Sequence, residues 1–351
     1  LSSENSLQPT ILYIAIFSGK TAKECIFYSY KRKHLMDSYV YIPPERLKDY
    51  AVSTARLLRP ESRCSGLEAA ALLRQSYGTI RRCHQSVERR YGALASPPTA
   101  CQWLLDNYYM VQREYACAMS HVKTARHLRC CRDGIVIVEL CRSLVHAGQG
   151  QVTEERCRIF LEGFQSVTVL QRRELELFPY ALRCALIEAI ADVCRYMQYA
   201  ADTTGHGEAL AALFTSLRLL SVLDMEKLLN NADVSSAILA KDPTGHYPNM
   251  AAATKAEYLK RLEKLARWQG MEEQKLAEKL IQQASLDGRH VGFYLYKNPP
   301  SFLPTAYISI NILLPVIISL AIALSLGSIL APLLLLVPIW QLTKSMYPGW
   351  I

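Results

Sequence analysis

The sequence contains no G-x-G-x-x-G, no G-x-x-x-x-G-K-[ST], no H-E-x-x-H and no G-x-S-x-G. Those absences remove the common signatures of dinucleotide binding, P-loop phosphate binding, zinc proteolysis and the serine nucleophile elbow. Among its 11 cysteines there is no Cys-x-x-Cys, so neither a zinc knuckle nor a thioredoxin-like redox pair is spelled out. The cysteines are scattered and odd in number, and Cys130-Cys131 are adjacent, which is poor geometry for a mutual disulfide. Reduced thiols buried as small hydrophobes are the reading this supports. The most informative lack is of charge. From Asn298 to Thr343 there are 46 residues without one Asp, Glu, Lys or Arg.

All the charge therefore sits in the rest of the chain, where 40 Lys and Arg outweigh 31 Asp and Glu for a net +9. The 351 residues describe two physical objects, a water-compatible body and an apolar tail of membrane-spanning length. Within the tail, Ala306 to Ser328 is long and apolar enough to cross a bilayer, and Ala331 to Trp340 continues apolar. This reads as one transmembrane helix or a helical hairpin. Pro315, Pro332 and Pro338 would kink it, and Trp340, Tyr347 and Trp350 suit an interfacial belt. Ala251 to Lys297 holds nine Lys/Arg against six Asp/Glu just ahead of the tail, and after it only Lys344 is seen. By the positive-inside rule the body faces the cytoplasm, near anionic lipid. No basic stripe interleaves with aromatics, so no nucleic acid partner is expected; Lys31-Arg32-Lys33-His34 reads as a solvated face. Ile11 to Phe17 is too short to span and reads as a buried helix or strand. The chain opens on Leu1 and stops at Ile351, which reads as a fragment of a longer protein.

The body reads as all-α. Leu104, Tyr108, Val111, Tyr115, Met119 and Val122 recur at helical steps. Thr153 followed by Glu154-Glu155 reads as an N-cap with acids in the first turn. Glu174 to Ala201, with Pro179 near its first turn, and Glu208 to Asn230 read as two further long helices. Thr254-Lys-Ala-Glu257 has the capping-box pattern and opens a helix that Gly270 ends; another runs from Glu272 to Ala284. Ile135 to Val138 is strand-like but has no alternating strands to join. Asp202 to Gly207 and Lys241 to His246 read as loops.

The candidate chemistry is thin. Cys83-His84 and the pair His121 and His127 do not make a metal set, and paired carboxylates sit at helix starts, where the helix dipole explains them. Sugar-nucleotide polymerases carry an Asp-x-Asp and a Gln-x-x-Arg-Trp; neither is present, and Arg267-Trp268 has Lys264 in place of the Gln.

Three blocks nevertheless carry a resemblance. Trp103-Leu-Leu-Asp106-Asn107-Tyr-Tyr-Met-Val-Gln112 is the first. Asp242-Pro-x-Gly-x-Tyr247-x-x-Met250-x-x-x-Thr254-x-x-x-Tyr258 is the second, and His290-Val-Gly-Phe-Tyr294-Leu295 the third. In order and spacing they resemble the N-terminal region of cyclic β-1,2-glucan synthases, from about Pro98 to the C-terminus. Ala251 and Lys255 stand where that family has Asp and Arg. The resemblance implies a bacterial inner-membrane protein whose later domains polymerise glucose from UDP-glucose, with Mg or Mn, cyclise the chain and trim it. Those domains would lie beyond Ile351, so no catalytic residue, cofactor or metal is expected in this chain. Its partners would be the lipid bilayer and the remaining synthase domains. The organisation that follows is 1–97 unassigned, 98–297 a helical cytoplasmic domain and 298–351 the membrane segment.

The residues of the blocks have simple local roles. Asp106 and Asn107 can bond adjacent backbone, and Asp242 is a turn residue. Gly292 marks a close backbone approach or a positive φ, and His290 packs under the turn leading to the tail. Trp103, Asp106, Asn107, Asp242, Tyr247, His290 and Tyr294 are the candidate binding residues. The alternative function is a membrane-anchored helical scaffold without enzymatic activity.

Overall fold

The computed structural model describes residues 41–94, 96–199 and 204–297, with Val316 and Ile317. It is mostly helical. Among the described residues no helix is long and apolar enough to cross a membrane. The expected spans from Ala306, the stretch Ile11 to Phe17 and the basic Lys31-Arg-Lys-His34 lie outside the described residues, Val316 and Ile317 apart. The chain divides into two compact units between Val234 and Ser235. That division falls inside the span 98–297 that the sequence groups together.

The first unit contains α1 (Pro44–Leu57), β1 (Ser62–Cys64), α2 (Leu67–Tyr91), α3 (Thr99–Val122), β2 (Leu128–Cys131) and β3 (Gly134–Ile135). It continues with α4 (Val136–Ala147), α5 (Glu154–Gln165), α6 (Arg172–Tyr199), α7 (Thr204–Leu219) and α8 (Met225–Ala232). α6 is the axis, packed against α2, α3, α4 and α7. Phe178, Leu182, Leu186, Ile187 and Ile190 on α6 are fully buried among Leu73, Ile80, Leu104, Ile137 and Phe214. The helical spacing of α3 holds: Leu104, Val111 and Val122 are buried, while Tyr108, Tyr115 and Met119 are half-buried at the rim. The described helices before Pro98 are integral to this unit, because α1 lies along α5 and α2 along α6. The α1–α5 crossing is close at Gly163, where an added Cβ would fall 2.7 Å from the Lys48 carbonyl oxygen and 2.9 Å from Ala51 Cβ.

Several local expectations hold and several change. Thr153 caps α5, its hydroxyl accepting from Arg156 N–H at 3.2 Å. Pro179 lies inside α6, well past its first turn. The span from Glu208 to Asn230 is broken rather than continuous. Asp224 intervenes, and its carboxylate accepts from Lys227 N–H at 2.9 Å to start α8 afresh. Thr204 to Gly207, read as loop, form the first turn of α7. Of the strand-like run only Ile135 is extended, paired in β3 with Gly134 before it; Val136 to Val138 begin α4, because burial on that helix outweighs β-propensity.

The small antiparallel sheet, in the order β1-β2-β3, pairs Ser62 with Cys130 and Cys64 with Leu128. This pairing brings together Cys64 and Cys130, which form a disulfide across a sequence separation of 66. The expectation that every cysteine is a reduced thiol is therefore corrected for this pair. Of the other described cysteines, all but Cys117 are buried. Burial pushes the Cys157 thiol up to about 12, and holds Cys141 and Cys184 well above the ordinary range too.

Buried ion pairs pin the helices. Glu174 accepts Arg129 from β2 and also caps its own helix, taking Gln171 N–H at 2.9 Å. Arg142 forks onto Glu188 at 2.7 and 2.9 Å, and Arg183 meets Glu114 at 2.6 Å. Such pairs stabilise little net, but losing one partner strands a buried charge.

The second unit takes up α9 (Val234–Leu239) from Ser235 and runs through a 3-10 turn (Tyr247–Asn249), α10 (Ala252–Gln269), α11 (Glu273–Asp287) and α12 (Val291–Lys297). Its core is Tyr247, Leu259, Leu262, Leu265, Leu276, Leu280, Val291 and Leu295. Gly270 ends α10 at φ 65°, as the sequence predicts. α10 begins at Ala252, and Thr254 lies within its first turn. The capping box at Thr254 is thus not used; Ala251 occupies the cap position without a side-chain bond.

Candidate functional site

The first resemblance block lies on α3. Trp103 is half-buried and stacks on Phe214 of α7, ring centroids 6.5 Å apart and planes 10° from parallel. Asn107 is buried; its amide donates to the Trp103 carbonyl at 2.9 Å, and its carbonyl oxygen accepts from Arg218 at 3.2 Å. Asp106 is exposed. This block ties α3 to α7 through Trp103 and Asn107, and to α2 through Tyr108, which stacks on His84 at 4.0 Å and reaches the Tyr77 hydroxyl at 3.3 Å.

The second and third blocks meet. Asp242 lies in the turn after α9, a turn closed by Gly245 N–H on the Asp242 carbonyl at 3.0 Å. Gly245 has φ +68°, a conformation that favours glycine and explains its place in Asp-Pro-Thr-Gly. The Asp242 carboxylate is fully buried and points at the start of α12. One oxygen accepts Val291 N–H at 2.9 Å; the other accepts His290 Nδ1 at 2.8 Å and the Thr244 hydroxyl at 2.5 Å. Across the ring, His290 Nε2 lies 3.1 Å from the Tyr258 hydroxyl of α10. With Nδ1 donating to the carboxylate, Nε2 is the acceptor and the phenol donates.

The electrostatics follow from this wiring. Burial alone would raise the Asp242 carboxyl, but the bonds from Thr244, His290 and Val291 N–H outweigh it and leave the group below the usual carboxylate range. Burial, with Tyr296 and the Asp242 charge nearby, raises the Tyr258 phenol. That phenol stays protonated and donates; it is not an activated nucleophile. The Tyr258–His290–Asp242 chain therefore works as a clamp between α10, the turn and α12.

Gly292 permits the clamp. An added Cβ there would stand 2.4 Å from the Tyr258 hydroxyl and 2.9 Å from His290 Nε2. Of the two sequence expectations for Gly292, close approach is the one realised; its φ is not positive. Tyr247, 1% exposed, anchors the same turn in the core, with its hydroxyl 3.3 Å from that of Ser236. Tyr294 is buried in the core, and its hydroxyl reaches Asp287 at the end of α11.

Of the candidate residues, Asp242, Tyr247, His290 and Tyr294 share the second unit, and Asp242 and His290 touch directly. Trp103, Asp106 and Asn107 belong to the first unit. Sequence reasoning missed Thr244 and His246. His246 ends the same turn, and its ring meets the His290 ring edge-on, centroids 5.7 Å apart. Asp242, His246 and His290 each place a ligating atom within 4.8 Å of the others. The i,i+4 pair Asp242 and His246 was the only signal available in the sequence, and its third member lies 48 residues further along.

Compared with known proteins, the chain matches no family model and no curated sequence.

Proposed function

We propose that this chain is a non-catalytic, helical N-terminal part of a cyclic β-1,2-glucan synthase-like membrane protein. In this reading it supports glucosyl transfer from UDP-glucose carried out by domains beyond Ile351. The observation that carries the proposal is the clamp. The second and third resemblance blocks, distant in sequence, meet through Asp242, Tyr258 and His290, of which Tyr258 and His290 stand at positions of the family's pattern. Blocks that match a family in order and also interlock in space are better explained by a common architecture than by chance.

The surroundings of the clamp fit a junction with a membrane. α12 ends at Lys297, and the uncharged run begins with the next residue. Phe293 and Tyr296 are exposed on α12, beneath the Arg289 and Arg261 guanidinium groups at 4.8 and 5.4 Å. Aromatics paired with Arg suit the headgroup region. On this reading the tail spans the bacterial inner membrane once or twice, and the body lies on the cytoplasmic side.

The alternative is a membrane-anchored helical scaffold with no enzyme attached. The packing roles of Trp103, Asn107 and Tyr247 suit it equally. Extending the reading frame past Ile351 separates the two. An Asp-x-Asp and a Gln-x-x-Arg-Trp among further membrane segments support the synthase. A stop codon shortly after Ile351 excludes it. Membranes carrying the longer product should convert UDP-glucose to β-1,2-glucan, and membranes carrying only the chain to Ile351 should not; glucosyl transfer by the latter refutes the non-catalytic assignment.

A further inference from the structure

The Asp-Pro-Thr-Gly-His turn presents two side chains of different kinds toward one point. Asp242 is fully buried and held by the clamp. His246 is exposed and stands outside the hydrogen bonds of that clamp. His290 lies between them, 24% exposed. We propose that Asp242, His246 and His290 form a site for Zn²⁺ or a similar borderline divalent cation. This inference does not rest on the glucan synthase reading.

The donor set points to that class of metal. Two imidazoles and one carboxylate suit zinc, cobalt, nickel or copper, whereas magnesium and calcium take oxygen-rich shells. Three protein ligands leave one tetrahedral position for water. The ligating atoms already lie within 4.8 Å of one another. Asp242 and His290 keep their mutual 2.8 Å contact through a shared proton, which a cation can replace. Closing the set requires the exposed His246 side chain to turn inward and the 2.8 Å Asp242–His290 contact to open to the ~3.3 Å that two tetrahedral ligands about 2.0 Å from one ion span.

The groups behind the ligands are those a metal site needs. Metal-bound histidines bond through their second ring nitrogen, and ligating carboxylates are themselves hydrogen-bonded. Here His290 Nε2 has the Tyr258 hydroxyl at 3.1 Å, and the second oxygen of Asp242 has Val291 N–H at 2.9 Å. On binding, the neutral ring changes tautomer. Nδ1 gives up its proton to solvent and presents its lone pair to the cation, while Nε2 takes a proton and donates to the Tyr258 oxygen. The ring stays neutral, so one proton leaves and one enters. The phenol reverses from donor to acceptor without moving.

His246 is the discriminating residue, because removing it deletes a ligand and leaves the clamp whole. The test titrates the untagged, metal-stripped full chain with Zn²⁺ and with Mg²⁺ by calorimetry, and with Co²⁺ by visible absorption. The expected result is one Zn²⁺ per chain, no uptake of Mg²⁺ and a tetrahedral Co²⁺ spectrum. His246→Ala should keep the metal-free circular dichroism of the parent and lose Zn²⁺ affinity by more than the roughly 10–100-fold that an outer partner is worth. Tyr258→Phe should weaken binding by about 10-fold while keeping the stoichiometry. Should His246→Ala misfold, His246→Gln replaces it with the same expectation. No Zn²⁺ uptake by the parent overturns the proposal. So does equal affinity of the parent and the His246 variant, which would assign binding to other surface histidines or thiols.

Discussion

Replacing Asp242 by Ala removes the acceptor on which three donors converge, Val291 N–H, His290 Nδ1 and the Thr244 hydroxyl. Thr244 is only half-buried and can turn to water, so its loss costs little. Val291 is fully buried, and stranding its N–H costs about 1–3 kcal/mol. A hydrogen bond to a charged acceptor contributes a further ~1.5–3 kcal/mol, discounted here because His290 is 24% exposed and water can replace part of it. The sum favours about 3 kcal/mol, at the lower edge of what breaking a buried pair costs. The loss is local to the seating of α12 on the second unit. Native-state hydrogen exchange is therefore the assay, since a single global melt does not describe a chain of two units. Amides of α12 should exchange about 100-fold faster in Asp242→Ala, and those of α6 should be unchanged. Asp242→Asn keeps one carbonyl oxygen for Val291 N–H and should fall between the two. If α12 keeps its protection in Asp242→Ala, the clamp does not hold that helix and the reasoning fails.

Three further outcomes follow from the packing and ionisation of the first unit. Gly163→Ala gains up to ~1 kcal/mol of helix propensity but drives a methyl against the Lys48 carbonyl and Ala51. Overpacking of about 1–3 kcal/mol should win, lowering the urea midpoint; a raised midpoint would show that α1 yields freely. Glu174→Gln breaks the pair with Arg129 and should destabilise by roughly 3–5 kcal/mol in chemical unfolding, whereas Glu174→Leu with Arg129→Met should recover most of it. A single-variant cost equal to that of the double variant would show that no buried charge is being stranded. Cys157 titrates near 9.0 when exposed and near 12 when folded. A folded value above the unfolded one means its contribution is complete below the lower value and is lost as pH rises through the upper one. Stability should fall across that window by up to ~4 kcal/mol, and Cys157→Ala should flatten the fall; urea midpoints measured along a pH series decide it.

How much of this was legible depends on the range of the interaction. The helical character of Leu104 to Val122, the Thr153 cap and the Gly270 stop are written within a few residues of one another, and the structure keeps them. The capping-box reading of Thr254 failed for the opposite reason. The pattern was present, but α10 starts two residues earlier, so Thr254 lies inside the helix it was expected to open. The single long helix read across Glu208 to Asn230 failed because apolar periodicity persists through a break that Asp224 makes with one side-chain bond.

The sequence by itself determined the all-α character, the concentration of all charge outside one 46-residue run, and the order of the three resemblance blocks. Each is a property of composition or short-range periodicity, which the linear chain carries directly. Only the tertiary structure decided that Cys64 and Cys130 are bonded and that Asp242 faces His290 rather than only its own turn. It also decided that His246 comes close to both Asp242 and His290, with ring or carboxylate atoms of all three within 4.8 Å of one another. These depend on contacts between residues dozens of positions apart. Such contacts form because burying the apolar faces of the helices dictates where the chain returns, and no local spacing encodes that return.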